Sequence, residues 1–150
     1  ELDEEGVYRL QSTGELELLT DVFERPNGLA FSPDYETLYV NDSQSNVIRA
    51  FDVEPDGTLS SGRIFAEPSD PNAQGGTDGM KVDEEGRLYT TGPGGIWIYG
   101  PDGEQVDRIM VDAQCTNLAF GGSDHQTLYI TTPNTVYSVE LNVAGLHQQR

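Results

Sequence analysis

Asn27-Gly28-Leu29-Ala30-Phe31-Ser32-Pro33-Asp34 is followed by Thr37-Leu38-Tyr39-Val40, then by Val47-Ile48-Arg49-Ala50-Phe51-Asp52-Val53 and a Pro55-Asp56-Gly57 turn, and the chain repeats this order. The second copy reads Asp78-Gly79-Met80-Lys81-Val82-Asp83, Arg87-Leu88-Tyr89-Thr90, Gly95-Ile96-Trp97-Ile98-Tyr99 and Pro101-Asp102-Gly103. The third reads Thr116-Asn117-Leu118-Ala119-Phe120-Gly121, Thr127-Leu128-Tyr129-Ile130 and Thr135-Val136-Tyr137-Ser138-Val139. Asn27, Asp78 and Thr116 hold equivalent places, 51 and 38 residues apart. Those separations bracket the roughly 40–50 residues of a four-stranded propeller blade. Short stretches rich in Val, Ile, Leu, Tyr and Phe are divided by Gly, Pro, Asp and Asn clusters, without a sustained 3.6-residue period, so the reading is all-β. A sandwich or an open solenoid also uses short strands, but a sandwich does not require one unit to recur. The expectation is a β-propeller, about three blades of it.

Counting strands outward from the repeats sets the expected organisation. Residues 1–25 supply only Gly6-Val7-Tyr8-Arg9-Leu10 and Leu16-Glu17-Leu18-Leu19, the last two strands of an earlier blade. Blades are expected at 26–76 and 77–114, an incomplete one at 115–143, and a polar tail at 144–150. An unpaired blade edge exposes a row of N–H and C=O groups, so association with a missing N-terminal half or with a second copy is expected.

Asp and Glu number 26 against 8 basic residues, of which only Lys81 is lysine. That balance excludes nucleic acid and anionic membrane surfaces as partners. It fits either a salt-adapted protein or an ordinary acidic one. Glu1-Leu2-Asp3-Glu4-Glu5 does not read as a signal peptide, and no apolar run approaches the roughly 18 residues of a membrane span. Cys115 stands alone, so it forms no internal disulfide or CxxC motif and reads as a small buried side chain.

The innermost strand of each blade starts at one mouth of a propeller's channel, so Asn27, Asp78 and Thr116 are expected to share a ring of oxygen-bearing side chains. An amide carbonyl and a carboxylate are hard ligands suited to Ca²⁺ or Mg²⁺. Asn-Gly and Asp-Gly are equally at home as turn dipeptides before a strand, and spacing alone leaves that reading open. Asp52-Val53-Glu54-Pro55-Asp56-Gly57 opens like an EF-hand loop, but position twelve is Arg63 and the flanks read as strands, so a hairpin turn is expected. His125 and His147 read as surface residues with no serine–aspartate pair to serve, and Trp97 as core.

Arg25-Pro26-Asn27-Gly28-Leu29-Ala30-Phe31-Ser32-Pro33-Asp34, Thr77-Asp78-Gly79-Met80, Thr116-Asn117-Leu118-Ala119-Phe120-Gly121-Gly122 and Thr91-Gly92-Pro93-Gly94-Gly95-Ile96-Trp97-Ile98-Tyr99 resemble the C-terminal half of the gluconolactonase and regucalcin-like family. The resemblance implies a six-bladed propeller that hydrolyses sugar lactones with one divalent metal, Ca²⁺ foremost, with Zn²⁺, Mg²⁺ and Mn²⁺ as alternatives. By motif, Asn27 and Asp78 correspond to two of the family's metal ligands, and Asp78 to its usual proton acceptor. The family's glutamate and first asparagine ligands have no counterpart among these residues. Two other readings stay open: a propeller that only presents a binding surface to partners, and a calcium-binding homologue without turnover.

Overall fold

The computed structural model describes residues 4–146, so the reading of His147 and that of the first three residues lie outside the described residues. β1 (Val7–Leu10) and β2 (Leu16–Thr20) form a two-stranded sheet. A four-stranded meander follows: β3 (Pro26–Phe31), β4 (Thr37–Asp42), β5 (Val47–Asp52) and β6 (Arg63–Ala66). It recurs as β7 (Met80–Val82), β8 (Leu88–Gly92), β9 (Gly95–Tyr99) and β10 (Gln105–Met110). The last sheet has three strands, β11 (Asn117–Gly121), β12 (Thr127–Thr131) and β13 (Val136–Glu140). Every pairing is antiparallel between strands adjacent in the chain, and no helix occurs among the described residues. The fold is the all-β propeller the repeats imply.

The core lies between sheets, because strand alternation sends successive side chains to opposite faces. Leu38 and Val40 point back from β4 to pack with Phe51, Val7 and Phe23. Tyr39, from the same strand, points forward into a second cluster with Met80, Val82, Leu88, Trp97 and Tyr99. The second blade repeats the division: Leu88 faces back, while Tyr89 joins Ile96, Ile98, Leu118, Leu128 and Ile130 in the third cluster. Trp97 is core as expected, stacked on Tyr99 at 6.4 Å between ring centroids. Tyr129 holds the same place in the third blade and is 42% exposed, against 4% and 2% for Tyr39 and Tyr89. The forward face of that sheet carries no further sheet among the described residues.

Two local features correct or sharpen the sequence reading. Residues 144–146, expected to begin a polar tail, run back along the second blade: Asp83 bridges Gly145, and the Glu84 and Leu146 amides donate to Ala144 and Val82 carbonyls at 3.0 Å each. Gly145 lies where a Cβ would enter the Phe120 ring, a non-local fit that local composition does not reveal. The Asp52–Arg63 stretch is a hairpin closed by the Val53–Leu59 bridge, and Arg63 pairs with Asp52 at 2.9 Å. The residue that breaks the calcium-loop pattern thus neutralises its first acid.

Candidate functional site

Strand register confirms that the three ring positions are equivalent. Leu29 opposes Val40, Met80 opposes Thr90 and Leu118 opposes Ile130, and Asn27, Asp78 and Thr116 each stand two residues before the first of these partners. Glycine makes the ring compact: a Cβ on Gly28 would fall on the Asp78 carbonyl oxygen, and one on Gly79 on the Asn117 side chain. The heads of adjacent inner strands therefore approach at backbone distance, which only a residue without a side chain allows.

One residue in each second strand fixes this geometry, at a constant offset after the recurring Leu-Tyr pair. Asn41 is fully buried; its Oδ1 accepts from the Gly28 N–H at 2.9 Å and its Nδ2 donates to the Asp78 carbonyl at 2.7 Å, tying the first blade's ring strand to the second's. At the matching place Thr91 Oγ1 accepts from the Asp78 N–H at 2.7 Å and donates to the Gly76 carbonyl at 3.0 Å. In the third blade Thr131 meets the Thr116 hydroxyl at 3.0 Å. Thr77, buried beside Asp78, donates its hydroxyl to the Asp42 carbonyl at 3.0 Å.

Asn27 and Asp78 line one cavity of 370 Å³, together with Arg25, Asn46, Gln114 and Cys115. Thr116 is not among its lining residues, and its hydroxyl is engaged by Thr131, so the structure brings together two of the three ring oxygens and turns the third toward its own blade. Burial pushes the Asp78 carboxyl above its ordinary range, and a hydrogen bond from the Asn27 amide only partly offsets this. Arg25, which the sequence reading passed over, lines the same cavity, and its guanidinium makes no ion pair or hydrogen bond with a described residue. Cys115 is buried as expected and contributes to the cavity wall. His125 sits half-buried in its turn, remote from this lining.

Beneath the cavity, Asp42 organises the loops. Its Oδ2 accepts from the Glu24 and Arg25 amides at 2.7 and 3.4 Å, and its Oδ1 from Gln44 and Ser45 at 2.8 and 3.2 Å. Burial alone would raise this carboxyl, but the four N–H donors outweigh it and hold it below its ordinary value. A depressed folded-state pKa gives stability that is present above the unfolded-state pKa and lost as pH falls through the folded one. Asp42→Ala should therefore cost about 2–3 kcal/mol at neutral pH, and the gap from the parent chain should narrow in strong acid. Urea unfolding at both acidities measures this, and a gap independent of pH would show that the carboxylate charge is not what holds the loops.

Four sheets packed on inter-sheet cores, with oxygen-bearing side chains at the head of the inner strands, define a propeller with a polar cavity at those strand heads. The chain belongs to the SMP-30/gluconolactonase/LRE-like family, whose model matches residues 1–134. It is 35% identical to the gluconolactonase of Zymomonas mobilis over 97% of its own length and 43% of that protein's. It is 37% identical to the L-arabinolactonase of Azospirillum brasilense over 85% of the chain and 42% of that protein. The solved gluconolactonase of Xanthomonas campestris superposes with a TM-score of 0.81 at 36% identity, over 94% of this chain and 46% of that one. The described residues are thus an arc of this family's six-bladed propeller, and the chain spans less than half the length of these relatives.

Proposed function

We propose that this chain supplies Asn27 and Asp78 to the axial site of a divalent-metal-dependent hydrolase of sugar lactones. The observation that carries the reading is the half-buried Asp78 carboxylate, which accepts a hydrogen bond from the Asn27 amide in a shared polar cavity, in a chain whose relatives are named as lactonases. The donor chemistry fits a hard cation such as Ca²⁺, because an amide and a carboxylate both offer oxygen, while among the described residues no three His, Cys, Asp or Glu side chains converge. Burial without a neighbouring cation disfavours the Asp78 charge, so a bound cation would relieve a cost already built into the site. Such cations take about six to eight oxygens, and the remaining ligands come from other ring positions and from water.

When bound, the cation would polarise the lactone carbonyl and stabilise the developing oxyanion. This chain's own residues do the rest. Asp78 would accept the proton of the attacking water on its carboxylate. The Asn27 amide orients that carboxylate, and the Asp78 backbone is fixed by its carbonyl accepting from Asn41 and its N–H donating to Thr91. Arg25, whose guanidinium makes no ion pair or hydrogen bond with a described residue, receives the carboxylate that ring opening releases.

Gluconolactone hydrolysis by the complete propeller, corrected for spontaneous opening, tests the proposal. Chelation should abolish turnover and Ca²⁺ should restore it. Turnover indifferent to chelator would remove the metal from the reading, and metal binding without turnover would leave a calcium-binding or partner-binding module.

A further inference from the structure

Gln114 lines two cavities at once. One is the ring cavity holding Asn27 and Asp78; the other, of 630 Å³, extends over the second blade among the β6–β7 loop, the β8–β9 hairpin and the β10–β11 loop. A single stretch of chain lines both in turn, with Asn72 and Gln74 on the outer cavity and Gly75 to Asp78 on the inner. Every residue lining the outer cavity belongs to the second blade or to the loops that enter and leave it.

The groove's frame is fixed while its lining amides are left available. Arg108 lies over the Trp97 ring at 4.4 Å, pairs with Asp70 at 2.9 Å and donates to the Pro93 carbonyl at 2.6 Å. Asp70 accepts the Asn72 amide N–H at 3.0 Å, and the Gly94 N–H donates to the Gln74 carbonyl at 2.8 Å. The side-chain amides of Asn72, Gln74 and Gln114 make no hydrogen bond with a described residue. Each carries a donor and an acceptor, the pairing that neighbouring hydroxyls match. The outer cavity is lined by no cationic side chain and by the Asp112 carboxylate, which repels an anion and can accept from a sugar hydroxyl, and the exposed Met110 offers an apolar surface for the C–H face of a sugar ring.

We propose that this outer groove is a subsite for a second, neutral sugar residue, so that lactones of disaccharide aldonic acids are substrates. The inference rests on the lactonase reading of the ring cavity and extends it outward. Asn27 and Asp78 place the lactone ring in the inner cavity, and the outer one, which shares Gln114 with it, takes the next sugar ring. Water adds at the lactone carbonyl, the acyl C–O bond to the ring oxygen breaks, that oxygen leaves as a hydroxyl, and the glycosidic bond is untouched.

The test compares the complete propeller with its Asn72→Ala/Gln74→Ala variant on gluconolactone and on cellobionolactone. The expected result is that kcat/KM for the disaccharide lactone falls about tenfold, as for two neutral hydrogen bonds, while that for gluconolactone is unchanged. Equal effects on both, or no effect on the disaccharide, would overturn the subsite. Calorimetric binding of the ring-opened acids separates the two readings. If neither lactone turns over, the lactonase reading fails, yet tighter binding of cellobionate than gluconate, lost in the variant, still supports the groove. Equal binding of the two acids overturns it.

Discussion

Asp78→Asn in the complete propeller is expected to lower gluconolactone turnover by about 100-fold or more, even with the metal site saturated. The substitution keeps the shape, the backbone bonds from Asn41 and to Thr91, and one carbonyl oxygen. It removes the charge that draws a cation into the cavity and the group that takes the proton. Asn27→Ala should behave differently, because Asn27 supplies a neutral ligand. Its metal requirement should rise roughly 10- to 100-fold, with excess metal restoring most of the rate. Rates measured against metal concentration for both variants separate the roles, and near-normal turnover by saturated Asp78→Asn would assign the base elsewhere. If Asp78 served only as a turn residue, its substitution would leave activity nearly intact.

Gly28→Ala is expected to cost about 3 kcal/mol of stability, a large effect for a single methyl group. Gly28 has no left-handed backbone angle, so alanine meets no conformational obstacle there; what it meets is the Asp78 carbonyl, with the Asn41 amide 3.0 Å away. Backbone cannot swing aside as a side chain can, and relief requires the first two blades to separate at the axis. Gly14→Ala is the control with opposite properties: φ is +87° and nothing lies within 4 Å. Its cost should be only the roughly 1 kcal/mol of a left-handed alanine. Urea unfolding midpoints compare the two, and equal losses would mean that close packing of the ring strands is not a source of stability.

Much of this architecture is legible in the sequence, because each blade repeats the same instructions. The Leu-Tyr pair in every second strand states which residue faces back and which forward, and Asn27, Asp78 and Thr116 can be aligned without coordinates. Family resemblance gives Asn27 and Asp78 their candidate roles. Other features depend on contacts between blades, which local pattern does not encode. The orientation of Thr116 follows from Thr131, and the Asn41 amide matters because it reaches from one blade to the next. Arg25 and Gln114 become candidates only when folding places them beside Asp78. The return of residues 144–146 along the second blade depends on a glycine fitting the face of Phe120, a surface that exists only after the third blade has formed.

The Asn41, Thr91 and Thr131 series bears on how far the blades are interchangeable. A symmetric protein assembled by copying the second blade around the axis would inherit the stacking tyrosine and the close-fitting glycine. It would also carry threonine at every strut, and a hydroxyl lacks the two-ended reach with which the Asn41 amide holds the Asp78 carbonyl across the seam. Divergence among duplicated units has therefore done more here than decorate a common scaffold: it has given one junction a side-chain amide bonded across the seam, and the acidic residue of the site stands at that junction.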